Sequence, residues 1–145
     1  MDWKMVESQE SLDQVLGSFE WFDAFIREGY FVCPSYIIPE GRATNNPDAV
    51  PSMKLLVTSP SETNPALELL FVGVEDLSIW FGGRELAPSA IWNKHQVAWS
   101  FHREKQPPIR AQKLYFRFLD NSSWGNNLRY GCEEIFDDSG RLITI

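Results

Sequence analysis

Residues Leu67 to Phe81 read Leu-Glu-Leu-Leu-Phe-Val-Gly-Val-Glu-Asp-Leu-Ser-Ile-Trp-Phe, and the first half of this run is apolar at odd and even positions alike. Successive residues of a strand face opposite sides, so a run apolar at both parities must be covered on both faces. The segment therefore predicts a central strand. Gly73 interrupts it where a bulge or bend would redirect the chain, with Glu75 and Asp76 close by. Shorter strand signals surround it. Met53 to Thr58 is one; Val97, Trp99 and Phe101 alternate with Ala98, Ser100 and His102 in a half-exposed pattern; Leu114, Phe116 and Phe118 alternate with Tyr115, Arg117 and Leu119 before the polar loop Asp120 to Asn127. Leu128 to Phe136 and Arg141 to Ile145 flank Asp137-Asp138-Ser139-Gly140, which suits a short hairpin connection.

Helical patterning is confined to the N-terminal region. Ser11 and Gln14 form a capping-box pattern, Leu12, Val15 and Leu16 share one helical face, and Gly17 supplies a stop. From Phe19 two readings compete. The aromatic density through Tyr30, Phe31 and Val32 favours a buried strand, in which Asp23 shares a face with Phe19, Trp21 and Phe25. A continued helix would instead turn Asp23 outward, with Arg27 one turn on. The strand reading is preferred, and it makes Asp23 a structural residue, since a carboxylate among rings must find donors or lose its charge. Pro39 to Ser52 holds Pro39, Gly41, Asn45, Asn46, Pro47 and Pro51 and predicts a long loop, and Pro88 to Trp92 predicts an irregular or helical connection. The expected fold is α+β and β-rich: a mostly antiparallel sheet or sandwich with a short N-terminal helix, in one domain spanning 1–145.

Charge and composition narrow the function. With 145 residues, 43% hydrophobic and 14% aromatic, the chain has enough apolar matter for one core, which excludes a disordered tail. A formal net charge of −7 disfavours nucleic acid and anionic membranes and favours a basic protein partner. The N-terminal residues lack a secretory pattern, and no apolar run is long enough to span a bilayer, so a cytoplasmic location is expected. Cys33 and Cys132 are isolated, and His95 and His102 fall on opposite faces of a shared strand, so no metal or cofactor is expected. Acids are abundant in Glu75, Asp76, Glu133, Glu134, Asp137 and Asp138, but adjacent acids on a strand diverge, which argues against a paired-carboxylate catalyst. These residues, with Trp124 as an aromatic anchor in a polar loop, form the expected partner-binding set.

Leu16-Gly17, then Trp21-Phe22-Asp23-Ala24-Phe25-Ile26, and later Leu69-Leu70-Phe71-Val72-Gly73-Val74-Glu75-Asp76-Leu77, resemble small bacterial immunity proteins of polymorphic toxin systems. In that group a Leu-Gly element precedes a Phe-His-Asp-Ala-like motif, and a later strand has Phe-x-Gly-Val-x-x-Leu character. The resemblance covers roughly the first half of the chain. Phe22 stands here in place of the histidine, and Phe25 where an acid is common. What the resemblance implies is a noncatalytic protein that neutralises a cognate toxin. A small-ligand or carbohydrate-binding β domain is the alternative, recognisable by an exposed row of Trp or Tyr, and a hydrolase would bring acids and a histidine into one cleft.

Overall fold

Antiparallel pairing organises the computed structural model, which describes residues 3–32, 35–37, 41, 43–45, 50–77, 85–102 and 107–120. In chain order the elements are β1 (Lys4–Met5), α1 (Gln9–Ser18), β2 (Phe25–Val32), β3 (Ser35–Ile37), β4 (Ala43–Asn45), β5 (Ser52–Thr58), β6 (Ala66–Asp76), β7 (Ser89–Asn93), β8 (Gln96–Ser100) and β9 (Ile109–Leu119). Among the described residues, seven strands form one sheet in the order β2-β5-β6-β9-β8-β7, with β1 added to β9 beside Tyr115 and Phe116. β3 and β4 pair separately. The β-rich antiparallel class expected from strand patterning is thus present, with the helix near the N-terminus. Among the described residues no helix is long and apolar enough to cross a membrane.

The two-sided apolar run does form a central strand. β6 lies between β5 and β9, and Ala66 to Val74 are all buried. Met53, Leu55 and Val57 of β5 join Leu67, Leu69 and Phe71 of β6, Leu114 of β9, Trp99 of β8 and Leu12 and Val15 of α1 in the main core. The opposite face holds Leu56, Ala66 and Leu119 in one cluster and Leu70 and Val72 in another. Gly73 resets the alternation between them. Its φ of 70° is a left-handed conformation, and beyond it Val74, not residue 73 or 75, joins the main core. The register shift follows at once, between Val74 and Asp76.

Several boundaries differ from expectation. The helix starts one turn earlier: Ser8 is the N-cap, its Oγ accepting from the Ser11 N–H at 3.1 Å while Ser11 Oγ accepts from the Ser8 N–H at 3.1 Å. It also runs through Gly17 to Ser18, stopping only when Phe19 turns extended to bury its ring. The loop expected over Pro39 to Ser52 is broken by β4 and ends as β5 begins at Ser52, because strand partners outside the segment recruit its residues. Ser89–Asn93 is a strand rather than an irregular connection, with half-buried Ala90 and Trp92 alternating with exposed Ser89, Ile91 and Asn93. Finally, Phe19 to Ala24 is not strand. The chain turns there, and β2 begins at Phe25.

Candidate functional site

The α1–β2 connection is fixed on both sides by bonds its sequence neighbours do not suggest. Trp21 donates its indole N–H to the Leu16 carbonyl at 2.9 Å, closing the helix end. Asn64 Nδ2 donates to the Ser18 carbonyl at 2.9 Å, and Ser59 Oγ to the Glu20 carbonyl at 2.7 Å, so the 59–65 turn buttresses the same stretch. The Trp21 ring packs edge-on against Phe19, with centroids 4.7 Å apart, and lies 6.0 Å from Trp99. Ala24 is buried and donates its N–H to the Trp21 carbonyl at 3.1 Å. Between these anchors the two central residues of the turn project outward.

Those residues are Phe22 and Asp23. Phe22 is 65% exposed, and Phe25, just past the turn, is 61% exposed. Asp23 has φ 58°, the left-handed region that L-residues other than Asn and Asp avoid. It is exposed, as is Glu20. The expectation that Asp23 is buried among rings is therefore corrected: a turn takes the place of the strand, and the carboxylate faces water. Two phenyl rings and two carboxylates thus share one short, pinned surface segment.

A cavity of about 590 Å³ opens beside it. It is lined by Trp21 and Phe22, by residues 85–89 and by His102. The Ala87 N–H bonds the Phe101 carbonyl at 2.8 Å, which ties the 85–88 segment to the end of β8. Leu86 and His102 are buried and Glu85 is exposed. Ser89, His102 and Glu85, residue types that also occur in nucleophilic catalysis, share this lining.

Glu75 and Asp76 stand exposed at the far end of β6. Glu75 Oε2 accepts from Gln96 Nε2 at 2.8 Å, and Asp76 Oδ2 lies 3.5 Å from Arg110 Nε. By strand length they are roughly 30 Å from the 59–65 turn that supports Glu20. Phe25, two residues past Asp23, pairs with Thr58 at the Ala66 end of the sheet, so the two acidic groups belong to opposite ends of β6. Trp124, Glu133, Glu134, Asp137 and Asp138 lie outside the described residues, as do both cysteines, the Gly82-Gly83 turn and the C-terminal hairpin.

A second polar constellation is buried within the sheet. Glu68, fully buried, sits directly opposite Arg117 and diagonal to Lys54. Its Oε1 is 2.6 Å from Arg117 Nε and its Oε2 3.2 Å from Lys54 Nζ. The guanidinium of Arg117 lies over the Trp3 ring at 4.5 Å, and Lys54 Nζ is 5.7 Å from the Tyr30 ring. Strand patterning missed this group, although a lysine and a glutamate inside two apolar strands were its signal. The cavity had no such signal, since Phe22, Glu85 and His102 are far apart in sequence. Compared with protein-family models, with curated proteins and with solved structures, the chain finds no match in any of the three.

Proposed function

We propose that this protein is a noncatalytic binding module that docks a basic protein partner on the Phe22–Phe25 turn, and that the partner is a toxin it neutralises. One observation carries the reading: two large phenyl rings, each more than half exposed, are held on a pinned turn beside Glu20 and Asp23. Burying an exposed ring against a partner supplies affinity, and flanking carboxylates supply rate and specificity toward a basic surface. The turn is also the stretch that resembles the immunity-protein motif, which supports the toxin assignment. Glu75 and Asp76, at the other end of β6, strengthen the acidic field from a distance and lie outside the contact itself.

A sugar-stacking surface receives less support. Among residues whose burial is described, Trp3, Trp21, Trp92, Trp99, Tyr30 and Tyr115 are all buried or half-buried, and the exposed rings are Phe22, Phe25 and Phe31. The test uses the wild-type chain and a Phe22→Ala/Phe25→Ala variant as baits against extract of the native cell. The wild type should retain a basic protein whose association slows at high salt, and the variant should bind it at least about tenfold more weakly. Growth arrest by that protein alone, relieved by co-expression with this chain, is the expected toxin result. Equal binding by both baits would reject the turn as the docking face; a captured protein without toxicity would leave binding and remove the toxin.

A further inference from the structure

We propose that the cavity beside Phe22 receives an arginine side chain of the partner, its guanidinium held between aromatic faces and the Glu85 carboxylate; this rests on the binding role argued above. Three features converge on that ligand. Trp21 and Phe22 both line the cavity, and aromatic faces attract cations, guanidinium groups above all. Trp21 already spends its indole N–H on Leu16, so what it offers the cavity is ring carbon and not a donor. Glu85, at the margin, is an acceptor with the fork geometry a guanidinium matches.

The charge of the wall points the same way. Among the described residues no lysine or arginine lines the cavity, and the chain as a whole carries −7. An anionic ligand would meet one carboxylate and two rings with no lysine or arginine among the described lining residues to balance it. A guanidinium meets complementary groups on each side. Phe22 then has two roles: its exposed outer face packs on the partner surface, and its inner face forms one wall of the arginine slot. The Ala87–Phe101 bond ties the 85–88 part of the lining to the end of β8, while the Trp21–Leu16 bond ties the Trp21–Phe22 part to α1, so the two lining segments are anchored independently.

The test needs no identified partner. Backbone and indole N–H resonances are followed while acetyl-arginine amide is added at millimolar concentrations, with acetyl-citrulline amide as the uncharged isostere and acetyl-lysine amide as the compact cation. Arginine should shift residues 21, 22, 85–89 and 102 saturably; citrulline should not; lysine should bind several-fold more weakly. Phe22→Ala and Glu85→Gln, both at exposed positions, should keep the native spectrum and weaken arginine binding about five-fold each. Equal shifts from citrulline, equal binding of lysine, or shifts scattered away from the cavity would overturn the assignment. Arginine binding without any captured protein would keep the slot and refute the docking role, whereas capture without arginine binding would do the reverse.

Discussion

Asp23 is held where it is by backbone geometry. At φ 58° an L-residue strains against its own Cβ, and Asp tolerates this better than most, while Gly tolerates it freely. Because the side chain is exposed, substitution should act through φ alone. Asp23→Gly should leave the urea midpoint within error, and Asp23→Ala should lower stability by about 1 kcal/mol; equal loss in both would point to the carboxylate instead. Glu68 is the opposite case. It is fully buried, accepts a hydrogen bond from Arg117 and is ion-paired with Lys54, so Glu68→Gln should cost about 3 to 5 kcal/mol in urea unfolding, and replacing Lys54, Glu68 and Arg117 together by apolar residues should cost far less. A small loss from Glu68→Gln alone would mean that the cations do not depend on it. The two acids also mark how far residue-level reading went. Asp23 was conspicuous among rings, yet its exposure depends on a Trp21–Leu16 bond that no local pattern reveals. Glu68 was unremarked in a run whose apolar character was otherwise read correctly.

At the level of elements, strands defined by their own side chains were legible and those defined by partners were not. β6 and β9 show their burial in sequence, and Gly73 announces the bend ahead of the register shift because only a residue without Cβ adopts φ 70° beside Gln112 at no strain. β7 is short and follows Pro88, so its extended state comes from pairing with β8 and from the helix. Gln9, the first residue of α1, accepts from the Trp92 N–H at 2.8 Å and donates to the Ala90 carbonyl at 3.2 Å, so its carboxamide stands in for the next strand. This closes an edge that would otherwise offer unpaired backbone to another chain. Gln9→Leu should speed hydrogen exchange of the Trp92 amide by about tenfold, as expected for losing roughly 1 to 2 kcal/mol of local bonding. Unchanged exchange would show that β8 alone holds the strand. The same logic explains the misplaced helix start: Ser8 is the cap because a helix beginning at Gln9 brings that carboxamide to β7.

At the scale of the whole molecule, two acidic patches among the described residues stand apart. The Glu20–Asp23 acids sit with exposed rings, while Glu75 and Asp76 are tied to Gln96 and Arg110 at the other end of β6. A fold-level pattern could not have separated them, since which acids lie near exposed apolar groups is decided by the path of the chain between strands. The division gives each patch a distinct consequence: removing rings should raise the dissociation rate, and reversing Glu75 and Asp76 should change only salt-dependent association. The central claim, that a basic protein docks on the Phe22–Phe25 turn, is tested most directly by photo-crosslinking in the native cell. A photoreactive phenylalanine analogue is placed at position 22, at position 25, or at position 94 in the exposed β7–β8 turn as a control. The account predicts one and the same basic protein crosslinked from 22 and 25 and not from 94. Equal yields from all three positions, or an acidic partner from the turn, would contradict it.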